Sequence, residues 1–333
     1  MSISPVRRLG LSGLIVHGVL VLLTLVSAGT LFAQWVWPAD LLTFFRPHLF
    51  VASLAGLALA LLARRRLAVL AAGAIVLFNL WPLAVSSVPA APPAAAGAPT
   101  VRIMSANLLY SNPHKALFRA SVDEVRPDIL VVQEDVLGWP MALDRLDGFP
   151  YRASDLDSRL AAVDVLSRLP MTVTLIDPGP GGVKARRRRP VAVRAEIQVA
   201  PGAPPLVVYA IHPPSPRTLR YWHRRAATFA QIAQHVRAEP EGTRVVVAGD
   251  WNTPPWSPQF ARFMDAAGLA ATEALPWPPS TRVFLFRGRE LPRWLGAPVD
   301  RLAVKGGVGT DGARIGPAFG SDHLPVYADV TVR

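Results

Sequence analysis

The feature that most limits how this chain can fold is a set of long, charge-free apolar runs within its first 85 residues. Three such runs lie within residues 11–39, 47–63 and 67–85. None of them has the polar face that a helix on the surface of a water-soluble domain presents. About 20 consecutive apolar residues are enough to cross the hydrocarbon core of a bilayer. We therefore predict a transmembrane region, residues 1–85, with three helices at about 11–33, 45–63 and 67–85.

The basic residues around these runs indicate an orientation. Arg7 and Arg8 precede the first run, and Arg64 to Arg66 separate the second from the third. Arg7 and Arg8 would also suit a cleavable signal peptide, but the first run is too long for one and two more follow. The positive-inside rule places both basic groups in the cytoplasm. We expect a multi-pass protein of the plasma (inner) membrane, in contact with the lipid bilayer, whose chain beyond Val85 is extracytoplasmic.

A Pro/Ala-rich segment follows the apolar region. Residues 86–100 read SSVPAAPPAAAGAPT, a composition typical of an extended, semi-stiff spacer. We place the domain boundary there, with a folded domain over residues 101–333. The chain has no cysteine, which excludes disulfide scaffolds, zinc ribbons and thiol catalysis. Residues 101–333 contain 29 Lys and Arg against 22 Asp and Glu, and this basic excess favours anionic partners such as phosphates, nucleic acid or an acidic membrane surface.

Strand-like and helix-like segments alternate in residues 101–333, as in a layered α/β or α+β domain. The clearest helix covers residues 218–236, where apolar side chains recur on one face. Short apolar runs predict buried strands at 101–108, 128–133, 163–166, 191–199, 206–211, 244–248, 299–304 and 324–332.

Polar side chains stand at the ends of several of these strands. They are Asn107, Glu134, His212, the Asp250-Trp251-Asn252 turn and the Asp322-His323 pair. Each has an ordinary explanation when taken alone, because Asp and Asn favour turns and a carboxylate at a strand end is commonly solvated. Taken together, carboxylates, amides and imidazoles at strand ends suit a hard-metal site with neighbouring acid/base groups.

Seven segments resemble one protein family and occur in that family's order. They are MSANLLYSN, PDILVVQE, VLSRLPM, YAIH, VVVAGDWNTPP, APVDRLAV and GSDHLPVYADV. In these motifs the chain resembles the endonuclease/exonuclease/phosphatase superfamily, and its apolar N-terminus is most similar to the bacterial membrane-bound branch that includes teicoplanin-resistance-associated proteins. The resemblance implies an α+β fold: a four-layer α-β-β-α sandwich of two packed mixed sheets flanked by helices.

The resemblance also implies a hydrolase that acts on phosphoester bonds with a divalent metal. Glu134 would be the principal Mg²⁺ ligand, and Asn107 and Asp322 would complete or support the site, which could also take Mn²⁺. The substrate would be a phosphate compound: lipid-linked, small-molecule or nucleic acid.

The same resemblance assigns catalytic roles. Asp250 would position and deprotonate the attacking water, and Asn252 would hold that water or a phosphate oxygen. His323 would contact the scissile phosphate, with Asp300 orienting its ring. His212 would stabilise the charge that develops in the transition state.

The substrate stays open at this level. A lipid-linked phosphate fits the membrane tether, and a run at Lys184 and Arg186 to Arg189 is either a solvated loop cluster or a contact for anionic lipid headgroups. A metal-dependent endo- or exonuclease is the alternative enzyme, and a catalytically silent, membrane-tethered binding domain is the alternative from another class. Residues 275–298 do not align with the family motifs, and we expect them to form loops on the substrate side.

Overall fold

The computed structural model describes residues 11–153, 163–177, 191–272, 280–287 and 289–332. The chain forms two compact units, one of residues 1–87 with 256–258 and one of residues 88–255 with 259–333. The basic run at 184–189 and the first part of the 275–298 segment lie outside the described residues.

The N-terminal unit is helical. Its helices are α1 (Leu11–Gly29), α2 (Trp37–Thr43), α3 (Arg46–Leu62) and α4 (Arg66–Ala84). Buried apolar side chains from α1, α3 and α4 pack against one another. Two stretches, Gly13–Phe32 and Arg66–Ala84, are long and apolar enough to cross a membrane.

The predicted middle span, 45–63, corresponds to a single helix, α3 (Arg46–Leu62). The short helix α2 precedes it and forms with it a pair bent by 72°, so the unit has two candidate spans, or three if the bent pair counts as one. Pro47 sits in the first turn of α3, where proline is tolerated because its missing N–H has no helical partner, and this favours a new helix start at that point.

The second unit alternates strands and helices in chain order. These are β1 (Thr100–Asn107), α5 (Lys115–Val125), β2 (Ile129–Gln133), α6 (Trp139–Leu143), β3 (Tyr151–Arg152), β4 (Val163–Ser167), β5 (Met171–Ile176), β6 (Ala192–Ile197), β7 (Leu206–Ile211), α7 (Leu219–Ala238), β8 (Arg244–Asp250), α8 (Pro258–Ala267), β9 (Ala270–Ala271), β10 (Leu285–Phe286), β11 (Arg289–Glu290), β12 (Asp300–Lys305), β13 (Val308–Ile315) and β14 (Val326–Val332).

Twelve of these strands form two six-stranded mixed sheets. The strand orders are β13-β14-β1-β2-β4-β3 and β5-β6-β7-β8-β12-β9, while β10 and β11 form a separate hairpin. Each sheet contains one parallel pair, β1 with β2 and β7 with β8. A parallel pair needs a crossover connection, and α5 and α7 supply the two.

Side-chain alternation builds the layers. In β7, Leu206, Val208 and Ala210 face the core between the two sheets, while Val207 and Ile211 pack beneath α7 and α8. The other sheet has the same arrangement, with an apolar layer beneath α5 and α6. Because β7 is buried on both faces, it reads in sequence as a continuous apolar run. The predicted α-β-β-α sandwich is confirmed.

The Pro/Ala segment lies along this second unit. Ala91 N–H donates to Ala271 O at 2.7 Å, Ala271 N–H donates to Pro89 O at 2.8 Å, and Thr310 N–H donates to Pro92 O at 2.9 Å. The predicted spacer over 86–100 is therefore hydrogen-bonded from residue 89 onward to β9 and β13. Its extended backbone, which proline favours, leaves peptide groups available to neighbouring strands.

Candidate active site

The predicted site residues meet at one end of the sandwich because of strand direction. Asn107 and Asp250 end β1 and β8, and Glu134 and His212 directly follow β2 and β7. Strands β12 and β14 run antiparallel to β8 and β1, so their first residues lie at the same end. Asp300 begins β12, and Asp322 and His323 lie in the loop that leads into β14.

Asn107 connects the two sheets. Its Nδ2 donates to Glu134 Oε1 at 3.3 Å and to Asp250 Oδ2 at 3.2 Å. The other Glu134 oxygen accepts the Tyr110 N–H at 3.0 Å. Asn107 is buried, so it holds the two carboxylates from behind, with Glu134 facing the cleft.

Asp250 is held by backbone and amide donors. Its Oδ1 accepts the Asn252 N–H at 2.8 Å, and its Oδ2 accepts Asn252 Nδ2 at 3.1 Å. His212 Nε2 lies 3.5 Å from the same Oδ2. Glu134 and Asn252 have φ of 62° and 49°, a left-handed conformation that residues other than glycine rarely adopt and that clusters at functional sites.

Asp300 and His323 form a buried pair. His323 Nδ1 lies 2.8 Å from Asp300 Oδ2, and its Nε2 lies 3.8 Å from Asp250 Oδ2. The carboxylate therefore contacts one ring nitrogen and leaves the other directed towards Asp250. Such a partner fixes the tautomer and orientation of an imidazole.

Burial and neighbouring charged groups shift the pKa values of His323 and Asp250 in opposite directions. Burial alone would lower the pKa of His323, but Asp300 and Asp250 raise it to about 9. Burial alone would raise the pKa of Asp250, but the His323 and His212 imidazoles and the Asn252 N–H hold it below its ordinary value. At neutral pH the site thus has a cationic imidazole beside an ionised carboxylate, the forms needed to bind a phosphate and to orient a water molecule.

These groups line a cleft of about 280 Å³. Glu134, His212, Asp250, Asn252, Asp322 and His323 all contribute to its wall, together with Arg217, Tyr221 and Arg282. Glu134 and Asp322 thus face one shared cleft. Arg282 Nη2 lies 3.5 Å from Asp322 Oδ2.

Four contributors to the site were not among the predicted site residues. Arg282 enters the cleft from a segment that pairs with Ala297 and His323. The neighbouring Thr281 accepts the N–H groups of Val299 and Asp300 at 2.9 and 3.0 Å through its hydroxyl. The other two contributors, Arg225 and Ser321, donate hydrogen bonds to backbone carbonyls of predicted site residues.

Arg225 Nη1 donates to Asn252 O at 2.6 Å, and Ser321 Oγ donates to Asn107 O at 2.7 Å. Ser321 stands inside the GSDHLPV motif, so the motif indicates its position although not its contact. Arg225 is fully buried on α7, an unusual place for arginine. A basic residue on the apolar face of an amphipathic helix is the one clue that could have identified it.

Gly249 permits the close approach of β7 and β8 at the site. A Cβ at this position would lie 1.9 Å from Ile211 O, well inside any contact distance. Gly249 therefore allows Asp250 and His212 to emerge side by side.

Two donor sets could hold a cation. Ligand atoms of Asp250, Asp300 and His323 lie within 4.8 Å of one another, with His323 Nδ1 already in contact with Asp300 Oδ2 at 2.8 Å. Glu134 and Asp322 instead offer carboxylate oxygens to the cleft, the ligand chemistry that suits Mg²⁺ or Mn²⁺.

A sandwich of two mixed sheets with carboxylates and imidazoles at one end defines the class of metal-dependent phosphoesterases. Residues 104–323 match the model of the Endonuclease/Exonuclease/phosphatase family, and the chain belongs to that family. Members of this family hydrolyse phosphoester bonds and generally depend on a divalent metal, and this chain is an enzyme of that kind.

Solved structures share the fold. An endonuclease/exonuclease/phosphatase from Beutenbergia cavernae DSM 12333 is 19% identical, with a TM-score of 0.51 over 70% of this chain and 72% of that one. Sphingomyelinase C from Streptomyces griseocarneus is 18% identical, with a TM-score of 0.50 over 69% and 99%. D. rerio TDP2 in complex with a single-strand DNA product is 12% identical, with a TM-score of 0.52 over 70% and 99%. No curated protein sequence is a significant match.

Proposed function

We propose that this protein is a membrane-anchored phosphoesterase that hydrolyses a phosphoester or pyrophosphate bond in a membrane-proximal or lipid-linked substrate on the extracytoplasmic side. The observation that carries the chemistry is the cleft, where Glu134, Asp250, Asp322 and His323 face one another. Two long apolar helices in the same chain support the membrane anchor.

In this proposal Glu134 and Asp322 hold the metal, Mg²⁺ or Mn²⁺, and Asn107 keeps Glu134 in place. When bound, such a cation neutralises charge on the phosphoryl oxygens. Asn107 is suited to this role because it donates to Glu134 Oε1, while Glu134 lines the cleft. The arrangement also fits a site in which Mg²⁺ keeps several of its waters.

The chain's own residues carry out the displacement. Asp250, oriented by two donors from Asn252, accepts the proton of the water whose oxygen attacks phosphorus. His323, kept protonated by Asp300, donates from Nε2 to the phosphoryl group and stabilises its growing charge. His212, whose Nε2 lies 3.5 Å from Asp250 Oδ2, stabilises the negative charge on the phosphoryl group. The leaving oxygen departs with the electron pair of the broken P–O bond and takes a proton from solvent.

A substrate panel tests the proposal. Full-length protein would be assayed with Mg²⁺ against phospholipids, polyprenyl pyrophosphates, inositol phosphates and nucleic acids, with His323→Ala as the control for each. We expect turnover of a lipid-presented phosphate that is lost in His323→Ala. Turnover of nucleic acid alone, falling steeply with added salt as phosphate-backbone binding does, would establish the nuclease alternative. Phosphoesterase activity that Glu134→Ala leaves unchanged would contradict the catalytic proposal.

A further inference from the structure

The hairpin β10–β11 carries exposed apolar side chains and follows shortly after Arg282, which lines the cleft. Phe284, Leu285 and Phe286 are consecutive and are 47%, 39% and 60% exposed. The hairpin belongs to neither six-stranded sheet, and among the residues that the structure describes its two strands pair with each other, Leu285 with Glu290 and Phe286 with Arg289. Single exposed apolar residues are ordinary, but a contiguous apolar patch marks an interaction surface.

Basic residues follow these apolar residues in the chain. Arg287 lies over the Phe286 ring at 5.5 Å, Arg289 begins β11 and Arg293 comes three residues after β11 ends. The one acid, Glu290, is paired with Arg293 at 2.8 Å. The hairpin thus combines aromatic rings with a net positive charge, the composition that binds at the headgroup level of an anionic bilayer.

The base of the hairpin is fixed to the active site. Val283 N–H donates to Asp322 O at 2.8 Å, and Arg282, one residue earlier, lines the cleft. The Leu291 N–H donates to Phe284 O at 2.8 Å, which closes the hairpin above this base. The hairpin is therefore hydrogen-bonded at its base to a residue that lines the cleft.

We propose that Phe284, Leu285 and Phe286 dock into the headgroup region of a membrane that contains anionic phospholipid, with Arg287 and Arg289 against the lipid phosphates. Docking places the mouth of the cleft at the lipid surface, where a lipid-linked phosphate can enter. This consequence for the substrate rests on the proposed function, but the docking itself does not.

The chain has no cysteine, so a single introduced cysteine can be labelled specifically in the full-length protein. Phe286→Cys would carry an environment-sensitive fluorophore, with Glu241→Cys, in the exposed turn between α7 and β8, as the matched control. Both proteins would be reconstituted in phosphatidylcholine vesicles with and without phosphatidylglycerol. We expect a blue shift and quenching by nitroxide-labelled lipids at position 286 only, and mainly with phosphatidylglycerol present.

The arginines supply a second measurement. Replacing Arg287 and Arg289 one at a time by Gln should lower the docked-to-undocked ratio on phosphatidylglycerol vesicles by about fivefold per residue. Equal emission and equal quenching at positions 286 and 241 would overturn the proposal. A blue shift without quenching by lipid nitroxides would also overturn it, because protein rather than lipid would then cover the tip. Both fluorescence measurements report docking and do not depend on catalysis. If the proposed function is wrong and the docking proposal is right, the hairpin will dock although no substrate is turned over.

Discussion

Asp300 lies directly opposite Asp250 in the antiparallel pair of β12 and β8. The register of these two strands brings the carboxylate that holds His323 beside the carboxylate proposed to orient water. His323 Nδ1 contacts the first, and its Nε2 faces the second at 3.8 Å. A shift of one residue would turn one of the two carboxylates to the opposite face of the sheet, so the sheet itself specifies the acid/base geometry.

Replacing Asp300 with Asn should lower kcat by about 10²- to 10⁴-fold, the usual contribution of a positioned acid or base. The amide keeps the size of the side chain but no longer favours the protonated, correctly oriented imidazole of His323. Steady-state hydrolysis by the full-length protein measures the effect. Asp311→Asn, the same change at an exposed position of β13, is the control, and equal activity of the two variants would show that the pair has no catalytic role.

Glu134→Gln should weaken Mn²⁺ binding by at least about tenfold, because the substitution removes a carboxylate charge that faces the cleft. Titration of the full-length protein, followed by Mn²⁺ electron paramagnetic resonance, measures the affinity without turnover. Asp300→Asn should change it much less. If Asp300→Asn weakened Mn²⁺ binding more than Glu134→Gln did, the metal would be assigned to Asp250, Asp300 and His323.

Arg282→Gln should raise KM by about 10- to 100-fold with a smaller change in kcat, the loss expected for a hydrogen bond between charged groups. Arg282 lines the cleft and stands where a phosphate would approach Asp322 and His323. Arg282→Lys keeps the charge but not the planar fork, and we expect it to recover part of the affinity. Unchanged kinetic constants in both variants would exclude a contact with substrate.

Gly249→Ala should destabilise the second unit by about 3 kcal/mol, since the new Cβ would meet Ile211 O at 1.9 Å and push β7 from β8. Gly202→Ala is the matched control: it also has a positive φ, but a Cβ added there would meet no atom within 4 Å, so it should cost only about 1 kcal/mol. Chemical unfolding in detergent, followed by near-ultraviolet circular dichroism, compares them. Equal losses of unfolding free energy would refute the steric explanation.

The salt bridge between Arg102 and Asp329 should make stability depend on pH. Arg102 Nε and Nη2 contact the two Asp329 oxygens at 2.7 and 2.8 Å, and this hydrogen bonding lowers the pKa of Asp329. Because the pKa of Asp329 is lower in the folded than in the unfolded protein, its ionised form stabilises the fold at pH values above the unfolded-state pKa of about 4. This stabilisation is lost as the pH falls through the folded-state pKa of Asp329.

Asp329→Asn should therefore reduce the unfolding free energy at neutral pH by up to about 1 kcal/mol, the range for a partly exposed pair. The variant and the parent protein should converge in strong acid, as measured by unfolding between neutral pH and pH values below about 4. A constant difference across that range would show that the pair does not titrate with folding.

The sequence by itself determined the elements whose signals are local. Charge-free runs predict the apolar helices, and the buried strands β2, β7 and β8 read as short apolar runs because both of their faces are covered. Strand β13 has no such signal, since VGTDGARI is rich in Gly and in polar residues, and its strand conformation depends on pairing with β14. The bend between α2 and α3 also escapes prediction, because hydropathy records composition and not the direction of a helix.

Tertiary structure alone decided which side chains meet. The family motifs contain Glu134, Asp250 and His323 in separate segments, but the contacts between them follow from strand direction and register, which no local pattern contains. Thr281 and Arg282 show this most clearly. They lie in a Pro-, Trp- and Arg-rich stretch without a motif, and they reach the site only because the backbone there pairs with Ala297 and His323. Such pairing joins residues that are distant along the chain. The sequence of either segment taken alone therefore does not indicate that the pairing forms.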